Sequence, residues 1–153
     1  MIPDKIESFK IDHNKLCPGI YVSRTDGDIT TYDLRTRKPN MGDYMDNITM
    51  HSTEHMIATY IRSSALSKDI IYFGPMGCQT GFYLLVRNAD NEEVLSVLKE
   101  TLKKVIDHEG EVFGASAIEC GNYKNLDISA AKTECERYLS VLEGYTPDFK
   151  YEV

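Results

Sequence analysis

The chain has 153 residues and a formal net charge of −7. This length suits one globular domain, spanning residues 1–153, with a core large enough to need no disulfides. The acidic balance argues against nucleic acid or an anionic membrane as a partner, because phosphate groups attract basic patches. No apolar run is typical of a signal peptide or a membrane span, so we expect a cytoplasmic protein whose four cysteines are thiols or metal ligands.

The first half of the chain predicts a hairpin, a helix and a second pair of strands. Strand-forming residues flank Asp26-Gly27, a dipeptide suited to the positive φ angles of a tight turn. The glycine-rich sequence PMGCQTG joins the second pair of strands. In chain order, the predicted elements are a hairpin over 20–35, a helix over 49–65, and buried strands over 69–74 and 82–88.

The second half predicts two amphipathic helices separated by a strand. The segment VFGASAIEC is rich in apolar residues and is predicted as a strand that stops at Gly121. The last helix is expected to end at Gly144, a typical C-cap residue. These elements are a helix over 91–110, the strand over 112–120 and a helix over 129–145. The whole pattern predicts an α+β fold, a single small domain with a mostly antiparallel sheet packed against helices.

The segment HSTEH places His51 and His55 four residues apart on the helix predicted over 49–65. Residues at this spacing are neighbours on one helix face, so both imidazoles can point at one ion. Glu54 is close enough to act on a molecule held by the metal without being a ligand. The same spacing also fits two ordinary histidines on a half-exposed helix, and the pattern alone leaves both interpretations open.

Two other classes of metalloprotein share the HSTEH spacing. HxxEH is the signature of inverted zinc peptidases, in which the glutamate is the general base. That interpretation requires a distant carboxylate as third ligand and normally a much larger chain. A non-catalytic metal-binding module is the other alternative, and it would leave no coordination position open.

The four cysteines are predicted to differ in role. Cys135 lies on the apolar stripe of the last helix and is expected to be a small buried hydrophobic residue, whereas Cys17 has no assigned role. Cys120, at the end of the predicted strand, would complete a ligand set with two imidazoles. Cys78, between glycines in PMGCQTG, is placed to act as a base or nucleophile. Spacing alone does not decide which of Cys78 and Cys120 binds metal.

Several motifs taken together resemble the S-ribosylhomocysteine lyase family, which makes the precursor of the quorum-sensing signal autoinducer-2. HSTEH followed by PMGCQTG and then CGNY, in this order, is the specific part of the resemblance. It spans most of the chain, from about residue 7 to 135. In chain order the matching stretches are ESFKIDHN, TYDLRTRKPN, HSTEHMIATYIRS, GPMGCQTGFYL and ECGNYKNLDISAAK.

The resemblance implies a role for each candidate residue. One divalent metal ion per subunit is implied, Fe(II) in the native state and replaceable by Zn(II) or Co(II), and the family pairs as a homodimer with sites at the subunit interface. Family members often carry an acidic residue six positions before the catalytic cysteine, where this chain has Tyr72. The implied metal ligands are His51, His55 and Cys120; the catalytic residues are Cys78 and Glu54; Ser8, His13 and Arg35 surround the ribose, and Arg62 meets the homocysteine end.

The reaction that the resemblance implies cleaves a thioether without redox change. Homocysteine and 4,5-dihydroxy-2,3-pentanedione are the products, and S-ribosylhomocysteine is the small-molecule substrate. Moving the sugar carbonyl from C1 to C2 to C3 acidifies a proton next to the carbon that bears sulfur, so that β-elimination follows. An acid/base pair must flank the sugar for these steps, and we expect Cys78 and Glu54 to form it.

Overall fold

A four-stranded antiparallel sheet forms one layer of the protein in the computed structural model, which describes residues 1–152. The strands lie in the order β1-β2-β4-β3, and every neighbouring pair is antiparallel. Their bounds are β1 (Gly19–Asp26), β2 (Ile29–Arg35), β3 (Ile70–Pro75) and β4 (Gly81–Arg87). The predicted antiparallel sheet is therefore confirmed.

Three helices form the second layer and pack against one face of the sheet. They are α1 (Asn47–Ile61), α2 (Asn91–Ile106) and α3 (Ile128–Glu143). All three contact one another, α1 also contacts β3, and α3 also contacts β1. Within residues 1–152, no helix is long and apolar enough to cross a membrane. The predicted α+β class, a single small domain, is confirmed.

The hydrophobic core lies between the sheet and the helices. Alternate residues of the strands point to this face, as the pleat of a strand requires. Those on the central strands are almost fully buried, at 1% exposure or less: Tyr32, Leu34, Phe82, Leu84 and Val86. The helices contribute an apolar stripe at helical spacing, with Val94, Leu98, Leu102, Ala131, Tyr138 and Leu142 among its buried members.

The opposite face of the sheet, which we call the outer face, is not covered by a helix. Register pairs Asp33 with Tyr21 on β1 and with Tyr83 on β4, so these three side chains share the outer face. Arg35 follows two residues after Asp33 and points the same way. A short 3-10 helix (Glu7–Phe9) contacts β1 near this face. The outer face therefore carries polar and aromatic side chains.

The hairpin between β1 and β2 is confirmed, with its turn one residue later than the sequence suggested. Gly27 and Asp28 are the two residues between the strands. Gly27 has φ +60° and Asp28 does not have a positive φ. A positive φ at the first central position alone is the pattern of a type II′ turn, which suits glycine there.

Helix α1 begins and ends earlier than the predicted range of 49–65. The side chain of Asp46 accepts a hydrogen bond from the backbone N–H of Thr49 at 2.8 Å, which caps the helix start. At the other end, Ser63 Oγ donates to the carbonyl of Thr59 and Ser64 Oγ to that of Ile61. The backbone N–H groups of Ser63 and Ser64 donate to carbonyls only three residues earlier, so the α-helical bonding pattern does not continue beyond this point.

The strand predicted over 112–120 is wrong. This segment belongs to the irregular connection between α2 and α3, which we call the ligand loop (residues 107–127). Gly114 has φ +72°, and the backbone N–H groups of Glu119 and Cys120 both donate to the carbonyl of Ser116. These local turns satisfy backbone groups within the segment. The helices predicted on either side are confirmed, although α2 ends at Ile106 rather than at Gly110.

Candidate functional site

His51 and His55 lie on one face of α1, as their spacing predicted. Both side chains are half-buried, and their rings are perpendicular with centroids 4.6 Å apart. The helix buries other residues of the same turns, Ser52 and Met56, in the core. The helix therefore holds both imidazoles at the edge of the hydrophobic core, where they remain accessible from one side.

Cys120 meets the two histidines from the ligand loop. Its Sγ lies 3.3 Å from Nε2 of His51, and one ligand atom from each of His51, His55 and Cys120 lies within 4.8 Å of the others. The backbone N–H of Asn122 donates to the sulfur at 3.4 Å. The structure thus brings together the three residues predicted as metal ligands. The thiol does so from a turn rather than from the end of a strand.

Two backbone carbonyls orient the imidazoles. Nδ1 of His51 lies 3.1 Å from the carbonyl oxygen of Asn125, and Nδ1 of His55 lies 2.7 Å from that of Phe113. Since a carbonyl only accepts, each Nδ1 carries a proton, and in a neutral imidazole this leaves the lone pair on Nε2, the atom that can bind a metal. Sequence reasoning missed these partners, because a backbone carbonyl has no side-chain signature and the ligand loop was predicted as a strand.

The glycine next to Phe113 is required for this approach. A Cβ on Gly114 would lie 3.2 Å from Nδ1 of His55, and the residue has φ +72°, which side chains rarely adopt. Gly114 therefore lets the ligand loop pass close enough for the carbonyl of Phe113 to reach the ring.

The donor set fits a divalent transition metal. Two imidazole nitrogens and a thiolate sulfur suit Zn(II), Fe(II) and similar ions, and three protein ligands leave one position for water or substrate. The third donor is a thiolate and not a carboxylate, so the peptidase interpretation of HSTEH is not supported. A cavity of about 480 Å³, lined in part by His55 and Glu54, opens beside the ligands.

Glu54 faces this cavity together with a second carboxylate that sequence reasoning missed. Glu119, one residue before Cys120, lines the same cavity, and one of its oxygens accepts a hydrogen bond from Ser116 Oγ at 3.0 Å. Phe73 of β3 forms part of the wall. We call this space the metal cavity.

Cys78 belongs to a different cavity. Its thiol is exposed in the connection between β3 and β4 and lines a space of about 320 Å³, which we call the thiol cavity. Three predicted substrate-binding residues line the same space: Ser8, His13 and Arg35. The structure therefore brings these four predicted site residues together. Tyr83, on the outer face, also lines this cavity and was not predicted.

Arg35 is almost fully buried and is held by Asp33. Their closest contact is 2.6 Å, and the side chains are 2% and 1% exposed. Nη1 of Arg35 donates to Oγ1 of Thr80 at 2.8 Å and lies 3.7 Å from Sγ of Cys78. Oγ1 of Thr80 is 3.0 Å from the same sulfur. The thiol thus lies beside a fixed cation and a hydroxyl group.

The remaining predicted residues lie outside these two cavities. Arg62 caps the end of α1 and is exposed, with its guanidinium 3.4 Å from the carbonyl of Ile71. Tyr72 is 49% exposed and lines a third cavity on the outer face. Cys135 is buried, as predicted, and burial raises the pKa of its thiol, so it stays protonated. Cys17 is exposed.

The metal cavity and the thiol cavity have no lining residue in common. Phe73, in the metal cavity, pairs in register with Leu84 and so points to the helical side of the sheet. Arg35 and Tyr83, in the thiol cavity, point to the outer face. The two predicted catalytic residues, Glu54 and Cys78, therefore face two separate spaces within one chain.

Comparison with known proteins identifies the family. Residues 6–146 match the family model described as S-ribosylhomocysteinase (LuxS). A protein from Finegoldia magna named S-ribosylhomocysteine lyase is 47% identical over 146 residues, covering 92% of this chain and 93% of the relative. A protein with the same name from Phocaeicola vulgatus is 44% identical, over 95% of this chain and 95% of its own length. Another from Borrelia garinii is 41% identical, over 92% of this chain and 93% of its own length. The chain therefore belongs to the S-ribosylhomocysteinase (LuxS) family.

Proposed function

We propose that this protein is a metal-dependent lyase that splits S-ribosylhomocysteine into homocysteine and 4,5-dihydroxy-2,3-pentanedione. The observation that supports this most directly is the cluster of His51, His55 and Cys120, whose ligand atoms lie within 4.8 Å in a chain of this family. The product is the precursor of autoinducer-2, and we place the reaction in the cytoplasm, where thiols stay reduced.

The metal-binding role is assigned to the three clustered side chains, with one divalent ion per subunit. Both Nδ1 atoms face backbone carbonyls, which leaves the two Nε2 atoms and the sulfur of Cys120 as the donors for the ion, and His55 also lines the metal cavity. We propose Fe(II) as the native ion, with Zn(II) and Co(II) as substitutes. When bound, the ion acts as a Lewis acid that stabilises negative charge on the sugar oxygens.

Glu54 and Cys78 are the proposed proton carriers. Moving a carbonyl along a sugar requires that a proton leave one carbon and reach its neighbour twice, so a base and an acid must flank the chain. The Cys78 sulfur is suited to act as a thiolate because Nη1 of Arg35 lies 3.7 Å away. Glu54 is suited to exchange protons on the opposite side because it lines the metal cavity without being a ligand.

The final step is a β-elimination. With the carbonyl at C3, the C4–H bond is acidic, and the proton passes to the base. The electron pair left at C4 forms a C4–C5 double bond while the C5–S bond breaks, and homocysteine leaves as a thiolate that takes up a proton. The resulting enol rearranges to the pentanedione. No electron is gained or lost overall, so no redox cofactor is required.

Substrate recognition is assigned to residues of the thiol cavity and to Arg62. Ser8, His13 and Arg35 offer hydroxyl, imidazole and guanidinium groups for the ribose oxygens. Arg62, exposed at the end of α1, is the proposed partner of the homocysteine carboxylate. Tyr72 stands where the family often has an acidic residue, so we propose that another group receives the ammonium.

The separation of the two cavities supports a homodimer with shared sites. Glu54 and the metal ligands are on the helical side, whereas Cys78 and Arg35 are on the outer face. One sugar can meet both sets if the metal cavity of one subunit is completed by the thiol cavity of its partner. The outer face also exposes apolar side chains that a second copy would cover: Ile6, Phe9 and Tyr72.

A thiol-release assay tests the activity. Protein purified without oxygen and loaded with metal is incubated with S-ribosylhomocysteine, and free thiol is titrated. We expect homocysteine above the blank, and we expect Glu54→Gln to keep its metal but to lose about 10²–10⁴-fold in rate. Glu136→Gln, an exposed substitution on α3, is the matched control. Metal-loaded protein that releases no thiol would refute the proposed function.

Subunit mixing tests the shared site. Inactive Cys78→Ala and Cys120→Ala proteins are mixed in equal amounts, dissociated and reassociated. Half of the dimers are then mixed, and each has one intact site, so we expect about a quarter of the wild-type rate. A mixture of Glu54→Gln and Cys120→Ala is the control. It should stay inactive, because both changes affect the metal cavity, so no mixed dimer has an intact site. A Cys78→Ala and Cys120→Ala mixture without recovery would contradict the shared site.

A further inference from the structure

The C-terminal segment after α3 returns to the outer face of the sheet. The backbone N–H of Val22 donates to the carbonyl of Phe149 at 2.8 Å. Phe149 is 6% exposed and has φ +64°, a conformation that bulky side chains rarely adopt. The packing of its ring in the core holds it there. This turn leads directly to Tyr151, which lies over β1 and β2.

Tyr151 contacts the outer face through both its ring and its hydroxyl group. The ring stacks on Tyr21, with centroids 5.1 Å apart and planes 15° from parallel. The hydroxyl donates to Oδ2 of Asp33 at 2.8 Å. Burial, together with the negative charge of Asp33, raises the pKa of Tyr151, so the hydroxyl keeps its proton and remains a donor.

Asp33 transmits this contact to the thiol cavity. Its Oδ1 accepts from Nε of Arg35 at 3.1 Å, and its Oδ2 accepts from Nη2 at 2.6 Å. Two of the three guanidinium nitrogens are thus occupied by the carboxylate. The third, Nη1, is left for Thr80 and for the sulfur of Cys78. The orientation of the carboxylate therefore decides where Nη1 points.

We propose that Tyr151 is a positioning residue that keeps Arg35 directed at Cys78. The last side-chain torsion of an aspartate is soft, so a third donor on Asp33 narrows the orientations that the carboxylate and its guanidinium partner adopt. Residue 151 lies beyond the family match, which ends at residue 146. This inference rests on the proposed function insofar as it assigns catalysis to Cys78.

The test compares the full-length Tyr151→Phe protein with wild type. Phenylalanine keeps the ring that stacks on Tyr21 and removes only the hydroxyl. The deciding measurement is the rate at which iodoacetamide alkylates Cys78 at neutral pH, followed by peptide-resolved mass spectrometry and compared with wild type under the same conditions. We expect this rate to fall about five-fold, with a similar fall in kcat for thiol release.

Tyr145→Phe is the matched control. The Tyr145 oxygen accepts from the backbone N–H of Ile20 at 2.9 Å, so this tyrosine also ties the C-terminal segment to β1, without touching Asp33. We expect its loss to lower the melting temperature while alkylation and kcat stay at wild type. Wild-type alkylation of Cys78 in Tyr151→Phe, whatever its activity, refutes the proposal. If wild type releases no thiol, the proposed function fails, and alkylation alone still decides the role of Tyr151.

Discussion

The metal cavity and the thiol cavity are built in different ways. The metal ligands are half-buried, and the two imidazoles are held by two carbonyls of the ligand loop. The thiol cavity rests instead on a buried ion pair, Asp33 with Arg35, that belongs to the central strand β2. We therefore expect the three metal ligands to be replaceable with little effect on the fold, whereas Arg35 supports both the site and the sheet.

The largest expected effect separates the two cysteines. Cys120→Ala should lose the metal, because the change removes one of three ligands. Changing a residue that only hydrogen-bonds to a ligand lowers metal affinity roughly 10–100-fold, so we expect a larger loss here. Cys78→Ala should keep the full metal content and release no measurable thiol. Metal analysis and thiol titration on the same samples check this. If both variants kept metal and activity, the assignment of the two cysteines would be wrong.

A second prediction concerns the buried ion pair. Arg35→Ala leaves the Asp33 carboxylate, which is 1% exposed, with the Tyr151 hydroxyl but without its cationic partner, and this should lower the free energy of unfolding by about 3–5 kcal/mol. Metal binding by the folded protein should not change. Urea unfolding measures the first quantity and metal titration the second.

Arg24→Ala is the control for that measurement. Arg24 contacts Asp26 at the same closest distance of 2.6 Å and the same sequence spacing, but both side chains are about half exposed. Water screens such a pair, so we expect no measurable change in stability. Equal effects of Arg24→Ala and Arg35→Ala would show that burial of the pair is unimportant.

The smallest expected effect is at the start of α1. Asp46→Ala removes the cap of the helix that carries His51 and His55, at a cost of about 1 kcal/mol. The hydrogen bond from Thr49 lowers the pKa of Asp46, so the charged carboxylate is the stabilising form. Its contribution is complete above the unfolded pKa of roughly 3.9 and disappears as pH falls through the lower folded pKa.

Urea unfolding at neutral and at acidic pH checks this cap. The difference between wild type and Asp46→Ala should be present at pH 7 and should shrink below pH 4. Asp90→Ala is the control, because Asp90 precedes α2 without a side-chain cap bond. A difference that persists unchanged into acid would exclude the charged cap as its source.

Local sequence was sufficient to predict most helices and strands and the histidine pair of the site. The histidine pair follows from helical spacing, and the stripes of α2 and α3 follow from apolar periodicity. The ligand loop was wrongly predicted as a strand, because VFGASAIEC has strand-like composition while its turns depend on Gly114 and on bonds to Ser116. Composition does not encode such bonds.

The sequence by itself determined the kind of chemistry, and only the tertiary structure decided where its parts meet. HSTEH, PMGCQTG and ECGNY were enough to predict two imidazoles, two thiols and a carboxylate as the candidate reacting groups. The contacts of Asp33 with Arg35 and Tyr151, and the placement of Glu54 and Cys78 in separate cavities, required the coordinates. The physical reason is that helical spacing is a local property, whereas strand register joins distant residues such as Ile29 and Arg87, and the return of the C-terminal segment joins Tyr151 to Asp33 across 118 positions.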